Sequence, residues 1–271
     1  MNKLGRLILL WLTLVSCQWD GELDVQDVTL EQSYFVECYM RPGELFNLTA
    51  TEISPIFEDY ILDYSQDFDV YIIDSDTIEL FQSLFIEEGT GYVYNFGSGQ
   101  RLSDQTLMVE LLVLSPMGDT IRARSRVPEQ IKMENVEAGE DQIVVNFLSS
   151  DYHPDNYYIL IANYDVVGKN GEKRPKNKVT YLDYHELLEE QEIVVDIKAD
   201  SLRYSEKTEI TLMRVTEENF RYQRSLEEAK NASRENVTFP APLEGNLINA
   251  VGIFTCYTED KRIIPVAEIA R

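Results

Sequence analysis

From Tyr34 onward the apolar residues recur every second position far more often than every third or fourth. This predicts a chain built mainly of strands. Phe68, Val70 and Ile72 alternate with Asp67, Asp69 and Tyr71, the pattern of a strand with one wet face. Leu107 to Leu114 is almost wholly apolar and reads as a central strand. Pro116-Met117-Gly118-Asp119 follows as a turn. Beyond it Ile121, Ala123, Ser125 and Val127 alternate with Arg122, Arg124 and Arg126, which completes a hairpin. Gly89-Thr90-Gly91 and Gly97-Ser98-Gly99 read as turns on either side of Tyr92-Val93-Tyr94-Asn95-Phe96.

The second half begins again with alternation at Ile143, Val145 and Phe147, then a mostly apolar run from Tyr157 to Tyr164. The polar stretch 168–173 joins that run to a further strand. Residues 193–199 and 209–215 read as strands. Asp183-Tyr184-His185-Glu186 has the form of a capping box and predicts a short helix over Leu187 and Leu188. Thr216 is placed to cap a helix whose first turn carries Glu217 and Glu218, and Tyr222, Leu226 and Ala229 give it one apolar stripe. Strands at Val251-Gly252-Ile253-Phe254 and Ile263-Ile264-Pro265-Val266 end the pattern.

The fold expected is therefore mostly β. It has two immunoglobulin-like or fibronectin-like β-sandwich modules, the second with one or two inserted helices. The first module spans 34–128. Pro128-Glu129 marks the boundary, and a C-terminal β-rich domain with a helix near 217–230 spans 129–271.

The first 33 residues follow other rules. Lys3 and Arg6 precede a run, Leu7 to Val15, that is apolar apart from Thr13 and too short to span a bilayer. Leu14-Val15-Ser16-Cys17 resembles the bacterial lipobox, in which the cysteine becomes the first residue of the mature chain and takes lipid on its sulfur and its amino group. Residues 1–16 are thus expected to be a lipoprotein signal peptide, Cys17 the lipidation site, and the acidic, aperiodic residues 17–33 a tether. An acidic stretch directly after the cysteine also resembles a surface-export signal of Bacteroidetes lipoproteins.

Composition narrows the functional classes. There are 48 Asp and Glu against 24 Lys and Arg, a formal charge of −24. Loss of Lys3 and Arg6 with the signal peptide would make the remainder more negative. Such a chain repels a phosphate backbone, so nucleic acid is not expected as a partner. It also repels an anionic membrane, so lipid would have to do the holding. Sixteen Tyr and eleven Phe are enough to exclude a disordered chain, and the tyrosines could offer platforms to a ligand.

Chemistry-bearing residues are few. His153 and His185 are the only imidazoles, and neither has a second histidine at metal spacing. The crowded aspartates 59, 63, 67, 69, 74 and 76 lack a calcium-loop pattern and read as solvated. Cys38 and Cys256 lie in the first and last clear strands. They are either a disulfide, if those strands are neighbours, or two small buried side chains. Arg122, Arg124 and Arg126 are expected to face acidic residues on a neighbouring strand. No nucleophile with its base stands out, so the chain is not expected to be an enzyme, and no cofactor or metal is expected.

One stretch points to a family. Phe239-Pro240-Ala241-Pro242-Leu243-Glu244-Gly245-Asn246-Leu247-Ile248-Asn249-Ala250-Val251-Gly252-Ile253-Phe254 resembles the closing motif of the DUF4249 family of Bacteroidetes lipoproteins, as does the segment Thr216 to Tyr222. The lipobox at the front and the strand Tyr34-Phe35-Val36-Glu37-Cys38-Tyr39 fit the same order. The resemblance implies a lipoprotein anchored in the outer membrane, surface-exposed or else facing the periplasm. It would be a non-enzymatic accessory of a TonB-dependent receptor, an outer-membrane β-barrel, in nutrient uptake. The alternative is a cell-surface adhesin that binds glycan or protein. Apart from the family, Gly252 inside a strand predicts close approach of another backbone or a bulge, and Gly245-Asn246 a turn.

Overall fold

The computed structural model describes residues 34–53, 67–87, 91–139, 141–167, 170–199, 205, 207–234 and 242–265. The expectations for residues 1–33, Cys17 included, lie outside them. The described chain is mostly β, with fourteen strands and one α-helix among the described residues.

The first half holds β1 (Tyr34–Met40), β2 (Leu45–Glu52), β3 (Asp69–Ile73), β4 (Thr77–Ile86), β5 (Val93–Arg101), β6 (Met108–Leu114) and β7 (Thr120–Arg126). The alternation behaves as read. Phe68, Val70 and Ile72 are buried while Asp67 and Asp69 are exposed. The β6–β7 hairpin forms in register, with Leu114 opposite Thr120 and Met108 opposite Arg126. Gly97-Ser98-Gly99 is not a turn. It lies within β5, where the register with β2 shifts between Leu45 and Asn47. A β-bulge uses the same glycines that a turn does, which is why the sequence signal is ambiguous.

The second half holds β8 (Met133–Ala138), β9 (Gln142–Leu148), β10 (Tyr157–Val167), β11 (Lys173–Asp183), β12 (Glu192–Lys198), β13 (Lys207–Val215), α1 (Glu217–Arg234) and β14 (Val251–Pro265). Strands β10 and β11 form the predicted hairpin around the polar turn. The capping-box motif at 183–186 does not start a helix. It makes a turn, in which the Asp183 carboxylate accepts from the backbone N–H of His185, two residues on rather than three. The one α-helix begins where Thr216 was read as its cap: Thr216 Oγ1 accepts from the Asn219 N–H at 3.3 Å. Tyr222 is fully buried on its inner face.

Eleven strands follow one another in hydrogen-bonded order, β11-β10-β13-β14-β1-β2-β5-β4-β3-β6-β7, and β12-β9-β8 form a smaller sheet. The joint between the halves is β14. Its first part runs parallel to β1, from Val251 opposite Phe35 to Cys256 opposite Met40. Its second part runs antiparallel to β13, from Tyr257 opposite Val215 to Pro265 opposite Lys207. Of three hydrophobic clusters among the described residues, the two larger divide accordingly, and the third, around Tyr157, Ile159, Val215 and Phe220, lies under the helix. Of the larger two, one gathers residues from Tyr34 to Val127 together with Ala250, Phe254 and Cys256. The other gathers residues from Ile131 onward and includes Ile264. Residues 32–271 form a single compact unit.

The segment before β14 acts as a clasp. Asn246 donates to the carbonyls of Phe254 (2.8 Å) and Arg124 (3.0 Å) and accepts from the Phe254 N–H (3.0 Å), so one side-chain amide stitches β7 to β14. Asn249, at φ 66°, donates to the Thr120 carbonyl, and Ile248 pairs with Arg122. Ser125 Oγ accepts from the Cys256 N–H at 2.8 Å. Both glycines of the motif meet another backbone. A Cβ on Gly252 would stand 2.0 Å from the Val36 carbonyl oxygen, and one on Gly245 would stand 1.9 Å from that of Gly252. Gly252 also has φ +119°, which side-chain-bearing residues rarely adopt.

The polar run Glu259-Asp260-Lys261-Arg262 stays in strand because the connection between the halves runs beside it. Gln130 donates to the Glu259 carbonyl, the Met133 N–H donates to Asp260, and Arg262 donates to the Met133 carbonyl. A methyl group at Gly252 is expected to combine backbone strain with a clash that no rotamer relieves. Gly252→Ala should therefore cost roughly 2–4 kcal/mol. The check is the urea midpoint at unchanged slope; an unshifted midpoint would show that β14 does not need that close approach.

Candidate functional site

A buried carboxylate organises one face of the large sheet. Glu37 interrupts the apolar run of β1 and is only 7% exposed. Three tyrosines surround it. The Tyr222 hydroxyl donates to Oε1 and the Tyr92 hydroxyl to Oε2, each at 2.5 Å, and the Tyr39 hydroxyl lies 3.5 Å from Oε1. Tyr222 comes from α1, Tyr92 precedes β5, and Tyr39 is on β1, so the carboxylate ties the helix to the sheet. A buried carboxylate is costly unless its lone pairs are met, and hydroxyl donors meet them here. Burial and the Glu37 charge push the phenols of Tyr92 and Tyr222 above their ordinary range, which keeps them protonated as donors.

Beside this cluster lies a cavity of about 530 Å³. Its wall on the β4–β5 side is aromatic. Phe85 stacks on Tyr94 with ring centres 4.9 Å apart, and Tyr92 tilts against Tyr94 at 4.8 Å and 57°. Tyr39 of β1 and Tyr257 of β14 line the other side. The rim is polar, with Asn47, Glu44, Glu87 and Arg41. Arg41 is already engaged, 2.6 Å from Glu44 and in contact with Glu259. The helix bounds the cleft through Gln223, which donates to the Tyr39 hydroxyl at 3.0 Å.

The residues singled out from sequence fall elsewhere. His153 sits in an exposed 3-10 turn. His185 is exposed, stacks on Tyr157 and hydrogen-bonds Asp183 through Nδ1; that bond raises its pKa. Asp59 and Asp63 lie outside the described residues. Asp74 accepts from Thr106. No group of three His, Cys, Asp or Glu able to hold a metal occurs among the described residues. Of the arginines, Arg124 meets Glu110 on the neighbouring strand at 3.0 Å, as expected. Arg126 instead reaches Asp155 across the junction of the halves and covers the Tyr152 ring, and Arg122 takes part in the bridge to Ile248.

Cys38 and Cys256 lie on neighbouring strands, the condition set for a bridge, yet both are free and buried. Register is the reason. Cys38 stands opposite Phe254 and Cys256 opposite Met40, an offset of two residues. Two residues of strand add about 6.6 Å along the sheet to about 4.8 Å across it, which exceeds the reach of a disulfide. Cys38 donates to the Asn47 carbonyl instead. Burial pushes the Cys256 thiol up to about 12 and Cys38 well above its ordinary value.

The tyrosine cleft and Glu37 were not picked out from sequence. The signals were a carboxylate inside an apolar strand and the alternation Tyr92-Val93-Tyr94. Neither says which other strands would stand beside them.

Comparison with known proteins adds one match. A family model described as "Domain of unknown function (DUF4249)" matches residues 22–263. No curated protein matches the chain.

Two outcomes follow for the buried groups. Tyr222→Phe removes one donor from the Glu37 carboxylate and should cost about 1.5–3 kcal/mol, the range for hydrogen bonds to charged groups. Chemical denaturation reads this, and a loss equal to that of a surface Tyr→Phe control would show the contact to be unimportant. In a Cys17→Ser chain without reductant, iodoacetamide should label neither remaining thiol in the folded state and both on unfolding. Failure to label the unfolded chain would reveal a disulfide.

Proposed function

The chain belongs to the DUF4249 family, and we propose that it is a non-enzymatic lipoprotein held in the outer membrane by Cys17, where it acts as the accessory partner of a TonB-dependent receptor. The observation that carries this reading is the order of parts. A lipobox ending in Cys17 precedes the family match, which begins at residue 22, and the compact unit, which begins at Gln32. Residues 18–31 then serve as the leash. In this reading the two larger hydrophobic cores are two sandwich-like modules that share β14, and they present their surfaces to the receptor as one body.

The physics is that of a tethered partner. Several acyl chains on one residue give firm anchoring, at about 0.8 kcal/mol for each buried CH₂. The leash raises the effective concentration of the domain beside a receptor in the same membrane, so a modest contact area suffices. The acidic body is repelled by anionic headgroups and stands clear of the bilayer. No helix among the described residues is long and apolar enough to cross a membrane.

The reading predicts that Cys17→Ser releases the protein from envelope fractions and removes the acyl mass from residue 17. It further predicts copurification of the wild-type protein with an outer-membrane β-barrel after gentle extraction, and its cleavage by protease added to intact cells. A Cys17→Ser product that still sediments with envelopes at unchanged mass would overturn the anchor. A protein that emerges unaccompanied but binds a glycan or protein ligand would favour the adhesin instead.

A further inference from the structure

The cleft on the helix-bearing face has a chemistry of its own. Its wall is made of several rings rather than one flat platform: the exposed Phe85 and half-buried Tyr94 stack on each other, and half-buried Tyr92 tilts across Tyr94. Tyr39 and Tyr257 face them from β1 and β14. Ring faces carry negative electrostatic potential, so rings gathered around one space attract a cation that fits among them. The carboxylates reinforce this. Glu44 and Glu87 line the cleft, and Glu37 lies directly behind Tyr39 and Tyr92. Arg41, the one cation lining it among the described residues, is engaged with Glu44 and Glu259. Their field reaches the rings: burial first, and Glu87 next, raise the Tyr94 phenol, while burial and then Glu37 raise Tyr92.

We propose that this cleft is a binding site for an organic ammonium group, caged by Tyr39, Tyr92, Tyr94 and Tyr257 in the field of the Glu87 and Glu37 carboxylates. A neutral sugar ring is a poorer fit, because it brings no charge to set against the carboxylates lining the cleft. The cavity, about 530 Å³, admits a trimethylammonium head or the end of a lysine side chain. The overall charge of −24 draws such ligands toward the protein from a distance. This assignment is independent of the lipid anchor and of the receptor, because it rests on the folded unit alone.

The test titrates the full-length, detergent-extracted protein with choline and with its uncharged isostere, 3,3-dimethylbutan-1-ol. Calorimetry and the ligand N-methyl proton resonance supply the readouts. Choline should bind saturably, with its N-methyl signal moved upfield by the ring currents, and at least about tenfold more tightly than the isostere. Tyr94→Ala should weaken choline about tenfold and reduce the upfield shift. Glu87→Gln should weaken it several-fold and flatten its dependence on salt. A parallel titration with Nα-acetyl-lysine methylamide separates the two sources of the group. Tighter binding of choline points to a free small amine, and tighter binding of the lysine amide points to a side chain of a partner protein. Equal binding of choline and its isostere, no saturable binding of either ammonium, or an affinity and upfield shift both unchanged by Tyr94→Ala would overturn the proposal.

Discussion

The architecture depends on one strand serving two masters. The first six residues of β14 complete the N-terminal core by lying parallel to β1, and the remainder completes the C-terminal core by pairing with β13. Parallel pairing between chain ends cannot be made by a hairpin. It needs the whole intervening chain to fold first or alongside, and it is slow and demanding of geometry. Gly252 is what lets it occur, since any side chain there would enter the Val36 carbonyl. The Asn246 amide then does for β7 and β14 what a strand backbone would do, accepting and donating in the place of a ladder. The motif that identifies the family is therefore the part of the chain that closes the fold.

Buried polar groups give the arrangement its specificity. At the junction of the halves, the carboxylate of Asp155 receives both the Arg126 guanidinium and the Glu129 N–H, and Arg214, 4% exposed, donates to the Leu148 carbonyl. Thr258 of β14 donates to the Glu129 carbonyl. Apolar contacts alone tolerate sliding, whereas hydrogen bonds fix distance and direction, and the loss of one strands a desolvated group. Glu37 plays the same part between α1 and the sheet, where it meets Tyr222 and Tyr92. That contact also sets the back wall of the cleft, so the site and the packing of the helix rest on one carboxylate.

This coupling bears on how a leashed domain would work. The cleft is walled by strands of the N-terminal half and by Met213 and Tyr257 from the C-terminal half, all within one compact unit. A ligand seated there touches residues contributed through β14 from both cores. Occupancy would stabilise the closed sheet by mass action.

Much of this was legible along the chain. Alternation beyond the turn at Pro116 marked the β6–β7 hairpin, an apolar run followed by a polar turn marked β10–β11, Thr216 with Glu217 and Glu218 marked the start of the helix, and Gly252 announced a close approach of backbones. These are local: a pattern of burial or a backbone conformation is imposed by neighbours a few residues away. Other features were set only by partners far off in sequence. The glycines of β5 bulge instead of turning because β2 and β4 hold them in a sheet, and Asp183-Tyr184-His185-Glu186 bends instead of starting a helix. Cys38 and Cys256 miss each other by a two-residue register that the parallel pairing alone decides. The aromatic cleft draws on six strands and the Glu37 cluster on a helix nearly two hundred residues from it, because which side chains share a face of a sheet is a property of strand order, and strand order is written in no single segment.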